Sequence, residues 1–227
     1  MSNQIIRHAY SEFIGTFALV FVGSGAIMTA HSNTGGIVDV ALAHGLVLSV
    51  AASAFMHIAA HFNPAVTIGF LFTRRITPVL AGVHIVMQFA GAIAAAFVLK
   101  ALYPVTVFDA ARGGGQTISN AVDGMQAWGM EAAGTFFLMT AIYGTAVNKR
   151  APNVGGFGIG LMLAAIILTI GPLTGASLNP ARSFGPALAS GVYEAYFIYL
   201  SAPVVGAVLA ALLFESLIIT RQDEPAA

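Results

Sequence analysis

Six apolar windows along the chain, at roughly 10–30, 38–59, 78–102, 126–147, 156–172 and 193–218, are long enough to span a bilayer. Two shorter windows, at roughly 64–73 and 180–189, are about half that length. A helix of about 20 residues crosses a hydrocarbon core of about 30 Å, whereas ten residues rise only about 15 Å. The pattern therefore predicts an all-α membrane protein of six transmembrane helices plus two re-entrant half-helices that reach the midplane. Backbone that leaves a helix at that depth must line a cavity or be buried in protein.

Both short windows open with the same tripeptide, Asn63-Pro64-Ala65 and Asn179-Pro180-Ala181. A capping residue followed by proline starts a helix, because proline has no N–H to leave unsatisfied and its φ is already helical. The duplication extends further. Glu12, Gly15, Thr16 and Phe17 recur as Glu131, Gly134, Thr135 and Phe136; Gly45-Leu46 as Gly160-Leu161; 63–69 as 179–185; and Gly91-Ala92 as Gly206-Ala207. The offset stays at roughly 115 to 119 residues, which gives repeats over approximately 8–103 and 124–219 within a single channel domain, 1–227. An odd number of spans per half inverts the second copy, an arrangement that builds a midplane site from two broken helices.

Composition narrows the class. Charged residues make up 8% of the chain, apolar residues 58%, and the mean hydropathy is +0.86, which leaves no room for a soluble domain. Zero net charge and a pI near 7 give no basic surface for nucleic acid. Cysteine is absent, so no disulfide or thiolate site forms, and no metal or cofactor is assigned. Glu12 lies within the first apolar stretch and no small-residue cleavage site follows, so this stretch reads as a retained span. Arg7, Arg74, Arg75, Lys149, Arg150 and Arg221 fall on one side of a six-span arrangement, and only Lys100 and Arg112 on the other. The expectation is a multi-pass cell (inner) membrane protein with both termini cytoplasmic, a vacuolar membrane being the alternative.

Opposed half-helices bring two N-termini together near the bilayer centre, each carrying about +0.5 e. Cations, H3O+ included, meet a barrier there. Asn63 and Asn179 are expected to cap their helices through the side-chain oxygen and to present amide N–H groups to the lumen. Water accepting from both amides turns its hydrogens outward along the pore, which interrupts a proton wire. The membrane carboxylates Glu12 and Glu131, symmetric in the repeat, are expected to accept hydrogen bonds from the two re-entrant backbones instead of relaying protons. His61 is expected to position its loop, with gating or metal binding as the alternative, and His57 and His84 to bond between helices. Gly15, Gly91, Gly134 and Gly206 read as close-approach positions between helices. The stretch Arg112-Gly113-Gly114-Gly115 reads as a flexible outer loop and the tail from Gln222 as disordered.

The duplicated tripeptide, the run 61–67 and the run 175–186 together resemble the major intrinsic protein family, the aquaporins and glycerol facilitators. The resemblance covers essentially the whole chain and implies a homotetramer with one pore per subunit and an outer filter of four residues. Three filter positions match at Arg182, Ala176 and Ile167. The fourth matches at His44 if the chain is one residue shorter at Ala59-Ala60, and at Ala43 if it is not. A His44, Ile167, Ala176, Arg182 set is similar to tonoplast intrinsic proteins and to ammonia-conducting animal aquaporins. The resemblance implies water passage, with ammonia, hydrogen peroxide or another small neutral solute as further cargo. Ser183 and Ala187 depart from the glycerol facilitators, whereas Leu200, where water channels usually have tryptophan, keeps a glycerol or urea facilitator as the alternative. Two rivals stand further off. An ion-coupled transporter lacks an ion-ligating group at the tripeptides, and a hydrolase using Ser177 with His44 or His61 leaves the mirrored tripeptides unexplained.

Overall fold

The computed structural model describes residues 2–32, 35–150 and 154–219. Arg221 and the tail from Gln222 lie outside them. The first repeat comprises α1 (Ser2–Ser32), α2 (Ile37–Phe55), the half-helix α3 (Pro64–Phe72) and α4 (Pro78–Leu102). The second comprises α6 (Gly124–Ile142), α7 (Gly155–Thr174), the half-helix α8 (Pro180–Ser190) and α9 (Tyr196–Leu217). Between them lie a short helix, α5 (Val105–Ala110), and a 3₁₀ turn at Arg112–Gly114. No strand occurs among the described residues.

Five helices, α1, α2, α4, α7 and α9, are long and apolar enough to cross a membrane. The remaining long helix, α6, is less apolar. It carries Gln126 and Glu131 and extends through a π turn at Tyr143–Val147. It nevertheless holds the place in the second repeat that α1 holds in the first: α1 packs on α4 and α2, and α6 packs on α9 and α7. The repeats join where α2 meets α7. Each half-helix is gripped mainly by the other repeat, α3 by α9 and α8 by α4.

Burial is inverted relative to a water-soluble core. Leu42, Leu46, Val50, Val86, Phe97, Leu161 and Leu209 are exposed on the outside, whereas Glu12, Gln88, Glu131 and Arg182 are buried. Without a hydrophobic drive between helices in lipid, close packing must hold the bundle together. A Cβ at Gly91 would lie 2.4 Å from the Phe13 carbonyl oxygen, and one at Gly206 only 2.0 Å from that of Ala132. The repeat-related pair Gly15 and Gly134 has a further role, although Gly134 also meets Ile166 and Ile170 of α7 as the helix contact expected. Their missing Cβ atoms leave room for Phe62 and Leu178 of the re-entrant turns.

The two ends of the bundle are closed by polar contacts. At the end shared by the N-terminus and the α3–α4 turn, Arg75 makes paired bonds of 2.9 and 2.7 Å to Glu215, which push the Arg75 pKa above its ordinary value. At the opposite end, Lys100 Nζ donates to the Ala189 carbonyl at 2.6 Å near the C-terminus of α8, and Arg112 pairs with Glu194 at 2.7 Å. The Gly-rich stretch is not the flexible loop expected. Gly113 and Gly114 are buried with φ of 63° and 74°, and Gly114 packs so closely on Ser24 that a Cβ there would sit 2.5 Å from its carbonyl oxygen.

Overpacking a tight contact typically costs about 1–3 kcal/mol. Gly206→Leu is therefore expected to lower the yield of monodisperse protein in detergent and its melting temperature, with fluorescence-detected size exclusion as the measurement. Gly129→Leu, where no atom lies within 4 Å of an added Cβ, is expected to leave both unchanged.

Candidate functional site

The site begins with two strained turns. Phe62 and Leu178, each just before an Asn-Pro-Ala, have φ of 51° and 56°. Left-handed backbone costs a residue with a Cβ about 1–2 kcal/mol, so something must hold it. Glu12 Oε1 accepts from the His61 N–H at 2.8 Å and Oε2 from the Phe62 N–H at 2.7 Å. Glu131 repeats the arrangement, taking the Ser177 N–H at 2.9 Å and the Leu178 N–H at 2.8 Å. Both carboxylates are fully buried. Gln88 Nε2 donates to Glu12 at 2.7 Å and Thr174 Oγ1 to Glu131 at 2.7 Å. Ser11 Oγ adds a bond to the Ala59 carbonyl.

The turned peptides aim their carbonyls across the midplane. Asn63 Nδ2 donates to the Leu178 carbonyl, and Asn179 Nδ2 donates to that of Phe62, both at 2.8 Å. Each asparagine also caps its own helix. Asn63 Oδ1 accepts from the Ala65 N–H at 2.9 Å, and Asn179 Oδ1 from those of Ala181 and Arg182 at 3.0 and 3.2 Å. Pro64 and Pro180 occupy the first helical positions, and Ala65 and Ala181 are buried where the half-helices begin. The expectation that the asparagine amides face the lumen needs correction. One hydrogen of each Nδ2 is committed to the opposite repeat, and the second remains for the cavity that both residues line.

That cavity runs from His44 and Arg182 past the two asparagines to His61. Leu19, Leu48, Val66, Leu138, Ile159 and Leu163 form an apolar wall opposite the polar line. At its far end Arg182, buried on α8, donates from Nη2 to His44 Nε2 at 3.3 Å. His44 Nδ1 lies 2.8 Å from the Val40 carbonyl and must donate to it. The ring is thus the neutral Nδ1–H form, with Nε2 as acceptor. Arg182 Nε and Nη1 are buried without a hydrogen-bond partner among the described residues. Gly23 makes room for the imidazole, since a Cβ there would lie 2.3 Å from His44 Nε2.

Ala176, with φ of 44°, lines the inner cavity beside His44 and Arg182. Ile167 lines a second cavity with Gln116 and Gly175. Three of the four residues, His44, Ala176 and Arg182, thus line one cavity and Ile167 another. Ala43 lines a separate cavity with Asp39 and Tyr103, so His44 is the residue of that pair that shares a cavity with Arg182. Leu200 lines none of these cavities.

Other sequence expectations divide. His84 bonds between helices, with Nε2 2.9 Å from His8 Nδ1. His57 does not: it is exposed and has no hydrogen bond among the described residues, because it falls just past the end of α2. Ser177 Oγ donates to the Asn179 carbonyl at 3.1 Å and pairs with Ser183, and neither His44 nor His61 reaches it, so no nucleophile–base pair exists. Gln88, Thr174, Tyr199 and Gly23 escaped sequence reading. Tyr199 OH donates to the Thr174 carbonyl at 2.7 Å. For Gln88 the available signal was an amide in the middle of an apolar window.

The sequence model described as "MIP: Major intrinsic protein" matches residues 1–214. The chain is 38% identical to the probable aquaporin TIP3-2 of Arabidopsis thaliana, over 97% of this chain and 86% of that protein. It is 38% identical to nodulin-26 of Glycine max, over 99% and 82%, and 39% identical to aquaporin AqpM of Methanothermobacter thermautotrophicus, over 94% and 98%. In fold it is similar to the aquaglyceroporin from Plasmodium falciparum, with a TM-score of 0.85 at 24% identity, covering 94% of this chain and 97% of that one.

Removing the Glu131 carboxylate leaves two backbone N–H groups and the Thr174 hydroxyl without their acceptor, at about 1–3 kcal/mol per buried group. Thermal unfolding in detergent is expected to show Glu131→Leu strongly destabilised. Glu131→Gln, which keeps one acceptor oxygen, is expected to fall between it and the parent. Equal melting temperatures for all three would overturn the assigned role.

Proposed function

The chain belongs to the major intrinsic protein family, and on that premise we propose that its His44–Arg182 neck makes the pore a water channel that also admits ammonia. The protein is a multi-pass membrane channel, and its family is one of passive channels, not enzymes. Water passage accords with the relatives named as aquaporins. The finer reading concerns the neck. A neutral imidazole there exchanges hydrogen bonds with a small polar solute, and Ile167 and Ala176 contribute a wall without a polar ligand. The fixed guanidinium repels cations, ammonium included. The bond between His44 and Arg182 draws the two sides of the neck together, which disfavours glycerol and urea.

Below the neck the apolar wall gives a passing molecule few bonds, and the asparagine pair supplies its donors at the midplane. Two half-helix N-termini raise the potential there, so that H3O+ is excluded along with other cations. Asn63, Pro64, Ala65, Asn179, Pro180 and Ala181 serve as the pore motifs, His44, Ile167, Ala176 and Arg182 as the filter, and Glu12, Glu131 and His61 as supports. The single observation that carries the reading is His44 and Arg182 bonded to each other at the mouth of a cavity that both line. We assign the chain to a cell membrane as a homotetramer, with the end bearing Arg74, Arg75 and Lys149 in the cytoplasm, on the bias of basic residues.

Stopped-flow light scattering on proteoliposomes tests this against empty vesicles. The parent is expected to pass water and ammonia quickly and glycerol poorly. His44→Phe is expected to keep water flux and lose most ammonia flux, and Arg182→Val to admit larger or charged solutes. Glycerol entry rivalling that of water in the parent would replace this reading with a glycerol facilitator.

A further inference from the structure

At the opposite end of the same cavity the Glu12 clamp meets two histidines. Glu12, His61 and His84 each offer a ligand atom, all within 4.8 Å of one another. His84 Nδ1 lies 3.2 Å from His61 Nδ1 and 3.5 Å from Glu12 Oε1. A tetrahedral zinc ion with bonds of about 2.0–2.1 Å separates its ligand atoms by about 3.3 Å, which the two His84 spacings match, while the third, from His61 to Glu12, lies within 4.8 Å.

The surroundings complete the case. A ligating histidine usually donates its other ring N–H to a fixed acceptor. His84 Nε2 has one in His8 Nδ1 at 2.9 Å. Glu12 Oε1 accepts a single backbone hydrogen bond, from His61, so a lone pair remains for an ion. Glu12 and His84 are buried, whereas His61 is partly exposed and lines the lumen, which provides an entry path and an open fourth position. Without an ion the cluster is satisfied in another way. The Thr67 hydroxyl donates to the Asn63 carbonyl at 3.1 Å, so it accepts from His61 Nδ1 at 3.0 Å. Moving between the two states requires only that His61 carry its proton on Nε2 instead of Nδ1, because His84 with its proton on Nε2 toward His8 already presents Nδ1 as a lone pair.

We infer that Glu12, His61 and His84 form a site for a divalent transition ion such as Zn2+, with His8 orienting His84, and that occupancy slows flux through the pore. Two imidazoles, one carboxylate and an open position suit zinc or cobalt better than calcium or magnesium, which favour oxygen ligands. The bound ion sits beside the lumen at His61. It also draws on Glu12, the carboxylate that holds the His61 and Phe62 peptides.

The test is titration of the untagged, purified protein with Co2+, followed by its visible d–d absorption, with Zn2+ as competitor. Water flux with and without Zn2+ is measured in parallel. The parent is expected to bind one Co2+ per chain with an intense four-coordinate spectrum that Zn2+ displaces, and to lose water flux in Zn2+. His84→Gln is expected to lose the spectrum and the Zn2+ sensitivity, judged against its own flux without metal. His8→Ala, at the margin of the cluster, is expected to bind about 10–100-fold more weakly. A parent without the four-coordinate spectrum, or an unchanged titration in both variants, would overturn the site. The effect on flux rests on the channel reading. Absence of metal-free water flux in the parent would defeat that reading, while the cobalt titration would still judge the site.

Discussion

Backbone that leaves a helix in the middle of a bilayer has no bulk water to bond. Here the N–H groups of His61, Phe62, Ser177 and Leu178 are taken by two buried carboxylates, Glu12 and Glu131. The arrangement does more than satisfy donors. By fixing the peptides before each Asn-Pro-Ala it holds Phe62 and Leu178 in left-handed backbone, which turns their carbonyls toward the opposite repeat. Those carbonyls then receive the asparagine amides, so each half-helix is tied to the other at its tip. A buried charge is costly unless it is fully bonded. With backbone donors on both oxygens and a side-chain donor from Gln88 or Thr174, these two meet that condition.

The inverted repeat explains why the support appears twice, and departures from symmetry set the two ends of the cavity apart. Glu12 and Glu131, Gly15 and Gly134, and the two tripeptides act alike. The ends of the cavity do not. One end carries Arg182 and His44, with Gly23 opening space for the ring, and the other carries His61 with His84 behind it. Symmetry thus builds the clamped turns and the midplane donors, while unpaired positions place Arg182 with His44 at one end and a histidine cluster at the other. The same Glu12 belongs to both the symmetric support and the asymmetric cluster, so an ion bound there acts on the turn itself.

Length and apolarity were enough to place the helices, because in lipid every backbone group must be bonded within a segment. The window at 78–102 coincides with α4, and both half-helices begin at their tripeptides. Where side-chain chemistry competes with apolarity the reading weakened. α1 begins at Ser2, well before the apolar window, and α6 is diluted by Gln126 and Glu131. Three glycines at 113–115 suggested mobility, yet close approach to Ser24 is what Gly114 provides. Left-handed backbone at Phe62 and Leu178 has no local sequence signal, since neither is glycine or asparagine; only the distant carboxylates impose it. The approach of His8 to His84 joins residues 76 positions apart and depends on how α1 and α4 cross.

Phe62 and Leu178 both border the cavity, so their amides would exchange quickly with water if nothing held them. Residue-resolved hydrogen exchange of these two N–H groups in the membrane-reconstituted protein therefore tests the carboxylate clamp directly. The account predicts exchange as slow as that of amides inside the long helices, at both positions alike. Fast exchange at Phe62 and Leu178 in a protein that still conducts water would contradict it.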